Sequence, residues 1–150
     1  MDAEPHRTGP GHLLGVDEAM VERLVHAFYA RIRVDPALGP IFNRVIDDWD
    51  THLAKMCAFW SAVMLMTGRY SGNPMAAHIK VGGIRPTHFA RWLHLFKTTA
   101  DEVCPPQAAA LFDAKARQIA RSLEMGIAAS RGELPPLRPV SGRSDTLPTS

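Results

Sequence analysis

The chain has 150 residues, 46% of them hydrophobic and 21% charged, which is the make-up of one globular domain rather than a disordered or fibrous chain. Its formal charge of +2 is too small to argue for nucleic acid or an anionic membrane as a partner. No stretch nears the roughly 20 apolar residues of a membrane span, and the amino terminus lacks the pattern of a signal peptide, so the expected setting is the cytoplasm. Cys57 and Cys104 form no CxxC, which excludes a disulfide framework and a four-cysteine metal site.

Prolines divide the chain, because proline disrupts a helix interior. Pro5 and Pro10 stand in residues 1–16, and Pro135, Pro136, Pro139 and Pro148 in residues 131–150; both stretches read as loose ends flanking a domain at 17–130. The first helix is expected after Asp17, a suitable N-cap, with Val21, Leu24, Val25, Phe28 and Ile32 along one face. A turn around residues 35–42 follows, marked by Pro36 and Pro40. Asp47, Asp48 and Asp50 suit the start of a second helix, whose stripe is Leu53, Met56, Trp60, Val63 and Met64 and whose end is expected near Gly68.

Residues 68–86 form a 19-residue connection, long for a helix–helix link, so structure or function is expected within it. Asn73-Pro74 is a good cap and first turn, Met75 to Val81 a short semi-apolar run, and Gly82-Gly83 a stop. His78 sits on this miniature helix, too short to be stable without something holding it to the body. Pro86 opens a further helix with Phe89, Trp92, Leu93 and Phe96. Pro105-Pro106 breaks it, and a last helix carries Leu111, Ile119, Leu123 and Ile127, with Lys and Arg increasing towards its end. No strand ladder or internal repeat is visible, so the fold class is all-α.

The chemistry narrows by elimination. There is no HExxH, no phosphate-cradling glycine loop and no GxSxG, and the six glutamates lack the paired Glu-x-x-His pattern of a di-iron bundle. What remains is a cofactor that asks for few protein ligands. Haem is one: its pyrrole nitrogens fill the iron's equatorial plane, and the protein need supply only one axial imidazole, for which His78 is the candidate. The rest of such a site is an apolar slot with one or two polar donors, and the aromatic and Met residues here offer it.

At this point the residues meet a family. Phe28-Tyr29, Asp35-Pro36 with Leu38-Gly39-Pro40-Ile41-Phe42, His52 and Lys55 before Phe59-Trp60, the spacing of Tyr70, Gly72, Pro74 and His78, and Trp92-Leu93 with Leu95-Phe96 together resemble a truncated haemoglobin, most closely group III. The resemblance spans residues 17–130 and implies a shortened globin, two helices on two, sandwiching haem b. It makes His78 the proximal iron ligand and places Phe42 on the haem face. It sets Tyr29, His52 and Trp92 around a diatomic ligand (O2, CO or NO), with Met56 facing the same distal cavity. Lys55, one turn after His52, would reach a haem propionate. Partial negative charge on bound dioxygen suits the hydroxyl, indole and imidazole donors.

Without the resemblance, Tyr29 reads as a helix residue with a surface hydroxyl, His52 as a solvated histidine, and Trp92 and Phe42 as core filling. His26, His88 and His94 read as solvent-facing or locally hydrogen-bonded, both cysteines as small hydrophobes, and Arg131, Arg138 and Arg143 as solubilising tail charge. The expected function is reversible binding of dioxygen. Its rivals are a nitric oxide dioxygenase or peroxidase drawing electrons from a separate reductase, and a cofactor-free helical module.

Overall fold

In the computed structural model, residues 9–132 are described and contain six α-helices and no strand. They are α1 (Glu18–Val34), α2 (Gly39–Val45), α3 (Trp49–Leu65), α4 (Pro74–Val81), α5 (Pro86–Val103) and α6 (Pro106–Ser130). None of them is long and apolar enough to cross a membrane. Residues 1–8 and 133–150, which carry His6, Arg138, Arg143, half of the first expected loose end and nearly all of the second, lie outside the described residues.

Local chemistry sets the helix starts. The Asp17 carboxylate accepts from the Met20 amide at 2.9 Å and the Asp48 carboxylate from the Thr51 amide at 3.2 Å, each satisfying a donor that the first turn leaves open. Proline stands in the first turn of α2, α5 and α6, where its missing N–H does no harm. The expected turn at 35–42 thus runs on into a helix, α2.

Three other expectations change. The described part of the amino-terminal stretch is anchored: His12–Leu14 is a 3₁₀ turn, Gly11 donates its N–H to the Met64 carbonyl at 2.8 Å, and Val16 is buried in the core. A Cβ on Gly9 would strike the Met64 carbonyl and the Leu65 backbone, so glycine is what permits the approach. That contact also explains why α3 ends at Leu65 rather than near Gly68, since Met66 turns left-handed with φ 54° as the amino-terminal strand of chain closes over the last turn. The final turn of α6 carries no basic side chain; Arg131 is its C-cap instead and donates to the Ile84 carbonyl at 2.9 Å, which makes it a structural tie rather than tail charge.

α1 packs on α2, α3 and α5, while α6 packs on α5 and α4. Phe96 is the pivot of the core. It is sandwiched between the rings of Trp92 (5.5 Å, 9° between planes) and Trp60 (5.1 Å, 16°), with Phe28 edge-on at 5.1 Å. Burying each such ring contributes about 2 to 3 kcal/mol, and ring pairs add about 1 kcal/mol beyond their area. Asp35, buried at the end of α1, accepts from the Ala37 and Leu38 amides and from Arg91, so one carboxylate turns the chain into α2 and ties α1 to α5. The Arg91 hydrogen bond holds that carboxyl below its usual range.

Candidate functional site

A cavity of about 450 Å³ is lined by residues of all six helices. All seven residues singled out above, Tyr29, Phe42, His52, Lys55, Met56, His78 and Trp92, line it. They come from α1, α2, α3, α4 and α5, so tertiary packing alone assembles them.

On one wall stands His78. α4 is eight residues long, as the Asn73-Pro74 and Gly82-Gly83 brackets suggest, and rests against α6. The His78 Nδ1 lies 2.6 Å from the Pro74 carbonyl one turn earlier. A carbonyl only accepts, so Nδ1 is the donor, and in the neutral ring Nε2 is then the nitrogen with the lone pair, the arrangement that orients an imidazole for a metal.

Tyr29, His52 and Trp92 line the same cavity. Tyr29 is buried at 5% exposure, and burial pushes its phenol well above the ordinary value, so it stays protonated at neutral pH. Its ring meets His52 edge-on at 5.2 Å and Phe42 at 6.0 Å. His52 is half-buried and its Nε2 is buried with no hydrogen-bond partner. Burial, aided by the nearby charges of Lys55 and His78, pushes its pKa down to about 4 and keeps the ring neutral. An orphaned buried nitrogen of this kind is unfavourable in a finished core and marks the space beside it as made for something else.

The surface readings of Tyr29 and His52 therefore fail on burial, and Trp92 and Phe42 serve the core and the cavity wall at once. His26 and His94 are exposed, whereas His88 accepts the Arg85 amide on Nδ1 at 2.9 Å and also lines the cavity, which its sequence neighbourhood did not signal. Phe59 and Tyr70, edge-on at 5.2 Å, are further lining residues to which no site role was given. Cys57 and Cys104 lie outside the lining, and burial pushes both thiols up, away from reactivity.

Residues 12–124 match the family model of the bacterial-like globins. The chain belongs to that family. A group 3 truncated haemoglobin of Campylobacter jejuni is 33% identical over 92 residues, which cover 59% of this chain and 72% of the relative. The crystal structure of a group III truncated haemoglobin from the same species superposes with a TM-score of 0.70 at 29% identity, covering 73% of this chain and 89% of the other. The fold is thus that of a truncated globin, and the globin's cofactor is haem. The cavity fits such a group on its own terms: its volume lies in the range of cofactor sites, its walls are mainly apolar, and its lining includes both a backbone-oriented imidazole and an unpartnered polar nitrogen.

Proposed function

We propose that this globin binds haem b through Nε2 of His78 and reversibly holds a diatomic ligand, dioxygen foremost, on the side of Tyr29, His52 and Trp92. The observation that carries the reading is that one cavity is lined both by a His78 whose Nδ1 is tied to the Pro74 carbonyl and by a His52 whose Nε2 has no partner. Haem, when bound, supplies the iron at which the diatomic ligand is held. The remaining work falls to the chain. His78 is kept in one tautomer and one orientation by its backbone hydrogen bond. Tyr29 and Trp92 are donors in this pH range, the first because burial keeps its proton, the second because indole N–H only donates. His52, neutral, donates from whichever nitrogen bears its proton.

Phe42, beside Tyr29, offers a ring to the macrocycle face, Met56 fills the wall one turn after His52, and exposed Lys55 at the mouth offers an ammonium to a haem carboxylate. Non-covalent haem b is favoured over an attached haem because neither cysteine lines the cavity and the sequence has no CxxCH. Two unpaired cysteines also suit a reducing, cytoplasmic setting.

The test is the visible spectrum of haem-supplemented protein, ferric and dithionite-reduced, with and without carbon monoxide, beside His78→Ala. A Soret band that shifts with carbon monoxide and weakens or changes in the variant is the expected result. Failure to take up haem stoichiometrically, or a variant spectrum identical to the parent, would overturn the assignment of His78.

A further inference from the structure

Behind the polar wall, outside the cavity lining, stands an aromatic residue that the reading above leaves without a task. Trp49 is the first residue of α3, one turn before His52. Its ring meets His52 edge-on at 5.6 Å and Tyr29 at 6.0 Å, so Trp49, His52 and Tyr29 form a closed triangle of rings with the last two facing the cavity.

Trp49 is itself held from two directions. Its indole N–H donates to Asn43 Oδ1 on α2 at 3.2 Å, and Asn43 Nδ2 donates in turn to the Arg33 carbonyl near the end of α1 at 3.1 Å. The amide orientation follows from the chemistry, because indole N–H can only donate and a carbonyl can only accept. The Arg33 guanidinium lies over the Trp49 ring, 4.6 Å from its centre, within reach of a cation–π attraction. The indole therefore bolts together α1, α2 and the start of α3, the three elements that carry Tyr29, Phe42 and His52.

We propose that Trp49, anchored by Asn43 and Arg33, is a positioning residue that fixes the Tyr29 and His52 rings relative to each other and so sets how tightly a diatomic ligand is retained. The inference rests on the reading of Tyr29 and His52 as donors. His52 is the less restrained of the two rings: its Nε2 has no hydrogen bond to hold it, whereas Tyr29 also meets Phe28 at 4.9 Å and Phe42 at 6.0 Å, and an edge-on ring contact restricts rotation only while the neighbouring ring stays in place. A donor is useful only within hydrogen-bond reach and near alignment, so freeing the rings weakens retention without removing a single donor.

Three variants separate the parts. Asn43→Ala releases the indole and leaves every cavity-lining side chain intact, Trp49→Phe keeps a ring without the N–H, and Trp49→Leu removes the ring. Each is to be compared with Tyr29→Phe in the same haem-loaded preparation by the oxygen dissociation rate and by the carbon monoxide stretching band, and in the haem-free protein by the His52 ring proton resonances. The expected result is a rise in dissociation of about threefold to tenfold for Asn43→Ala and for Trp49→Phe, which lose the same hydrogen bond, the equivalent of weakening one such bond, with a rise at least as large for Trp49→Leu, which loses the ring as well. The carbon monoxide band should split or broaden, and the His52 resonances should shift or broaden without haem, which a purely structural role would not produce. If Tyr29→Phe accelerates release while all three other variants leave rate, band and resonances unchanged, the inference is overturned and the donor reading stands. If Tyr29→Phe itself changes nothing, the donor reading fails and takes the inference with it.

Discussion

Replacing His52 with Leu should make the haem-free protein markedly less sensitive to mild acid. The ring is half-buried with an unpartnered Nε2, and burial, then Lys55 and His78, holds its pKa at about 4, against about 6.5 in an unfolded chain. The unfolded chain therefore takes up this proton first as pH falls. The contribution of the neutral ring is whole above pH about 6.5, declines through the window between 6.5 and 4, and is fully lost below it. Taken at face value the gap is worth about 3 kcal/mol, and the ring's remaining contact with water reduces that to roughly 2 kcal/mol. Asp35 and Asp48, held low by hydrogen bonds from Arg91 and Thr51, titrate beneath this window and are common to both proteins. Urea unfolding followed by circular dichroism at pH 7, 5.5 and 4.5 gives the curves. The variant should lose about 2 kcal/mol less than the parent between pH 7 and 4.5. Parallel curves would refute the claim that the folded cavity keeps His52 neutral.

Tyr29→Phe, which removes one hydroxyl from a buried ring, should speed oxygen dissociation by about fivefold to thirtyfold, the cost of one hydrogen bond of 1 to 2 kcal/mol, as read by stopped-flow mixing with carbon monoxide. Asp35→Ala leaves two turn amides and Arg91 without their acceptor, and thermal unfolding should fall by roughly 10 °C, the equivalent of about 3 kcal/mol; a loss under about 2 °C would contradict the tie between α1 and α5. Gly9→Val forces a side chain into the Met64 and Leu65 backbone, so the amino-terminal stretch should detach and be cut by protease ahead of His12 far faster than in the parent, with haem uptake retained.

Features of the site that depend on neighbours in sequence could be read there, and features that depend on distant partners could not. Asp17 and Asp48 announce helix starts because a cap acts across three residues, and Asn73-Pro74 with Gly82-Gly83 delimits α4 for the same reason. Tyr29, His52 and Trp92 carry no local sign of facing one space; the resemblance brought them together, and packing of α1, α3 and α5 does so physically. The anchored residues 9–16 were hidden because their acceptor, the Met64 carbonyl, lies some fifty residues away. Glycine and proline there look like loose chain until the close approach to α3 explains the glycine. Trp49 sits among acidic cap residues, and its partners Arg33, Asn43 and Tyr29 belong to two other helices.

Tyr29 and His52, the two lining groups whose ionisation burial controls most strongly, are both kept uncharged, and this constrains how the cavity can work. A bare charge in a mainly apolar space is costly, and each group avoids it by a different route. Tyr29 keeps its proton because burial penalises the phenolate, while His52 sheds its proton because burial penalises the imidazolium, so the same desolvation moves the two pKa values in opposite directions. The charge of His78 enters among the causes that push His52 down, which means that protonating one imidazole disfavours protonating the other. His78 Nδ1–H donates to the Pro74 carbonyl, and in the neutral form of the ring the lone pair is therefore on Nε2. The charged lining residues, Lys55, Asp47 and Asp48, are all exposed to water. Tyr29 and His52 are thus both uncharged before anything binds, and a polarised diatomic ligand beside them would meet neutral donors.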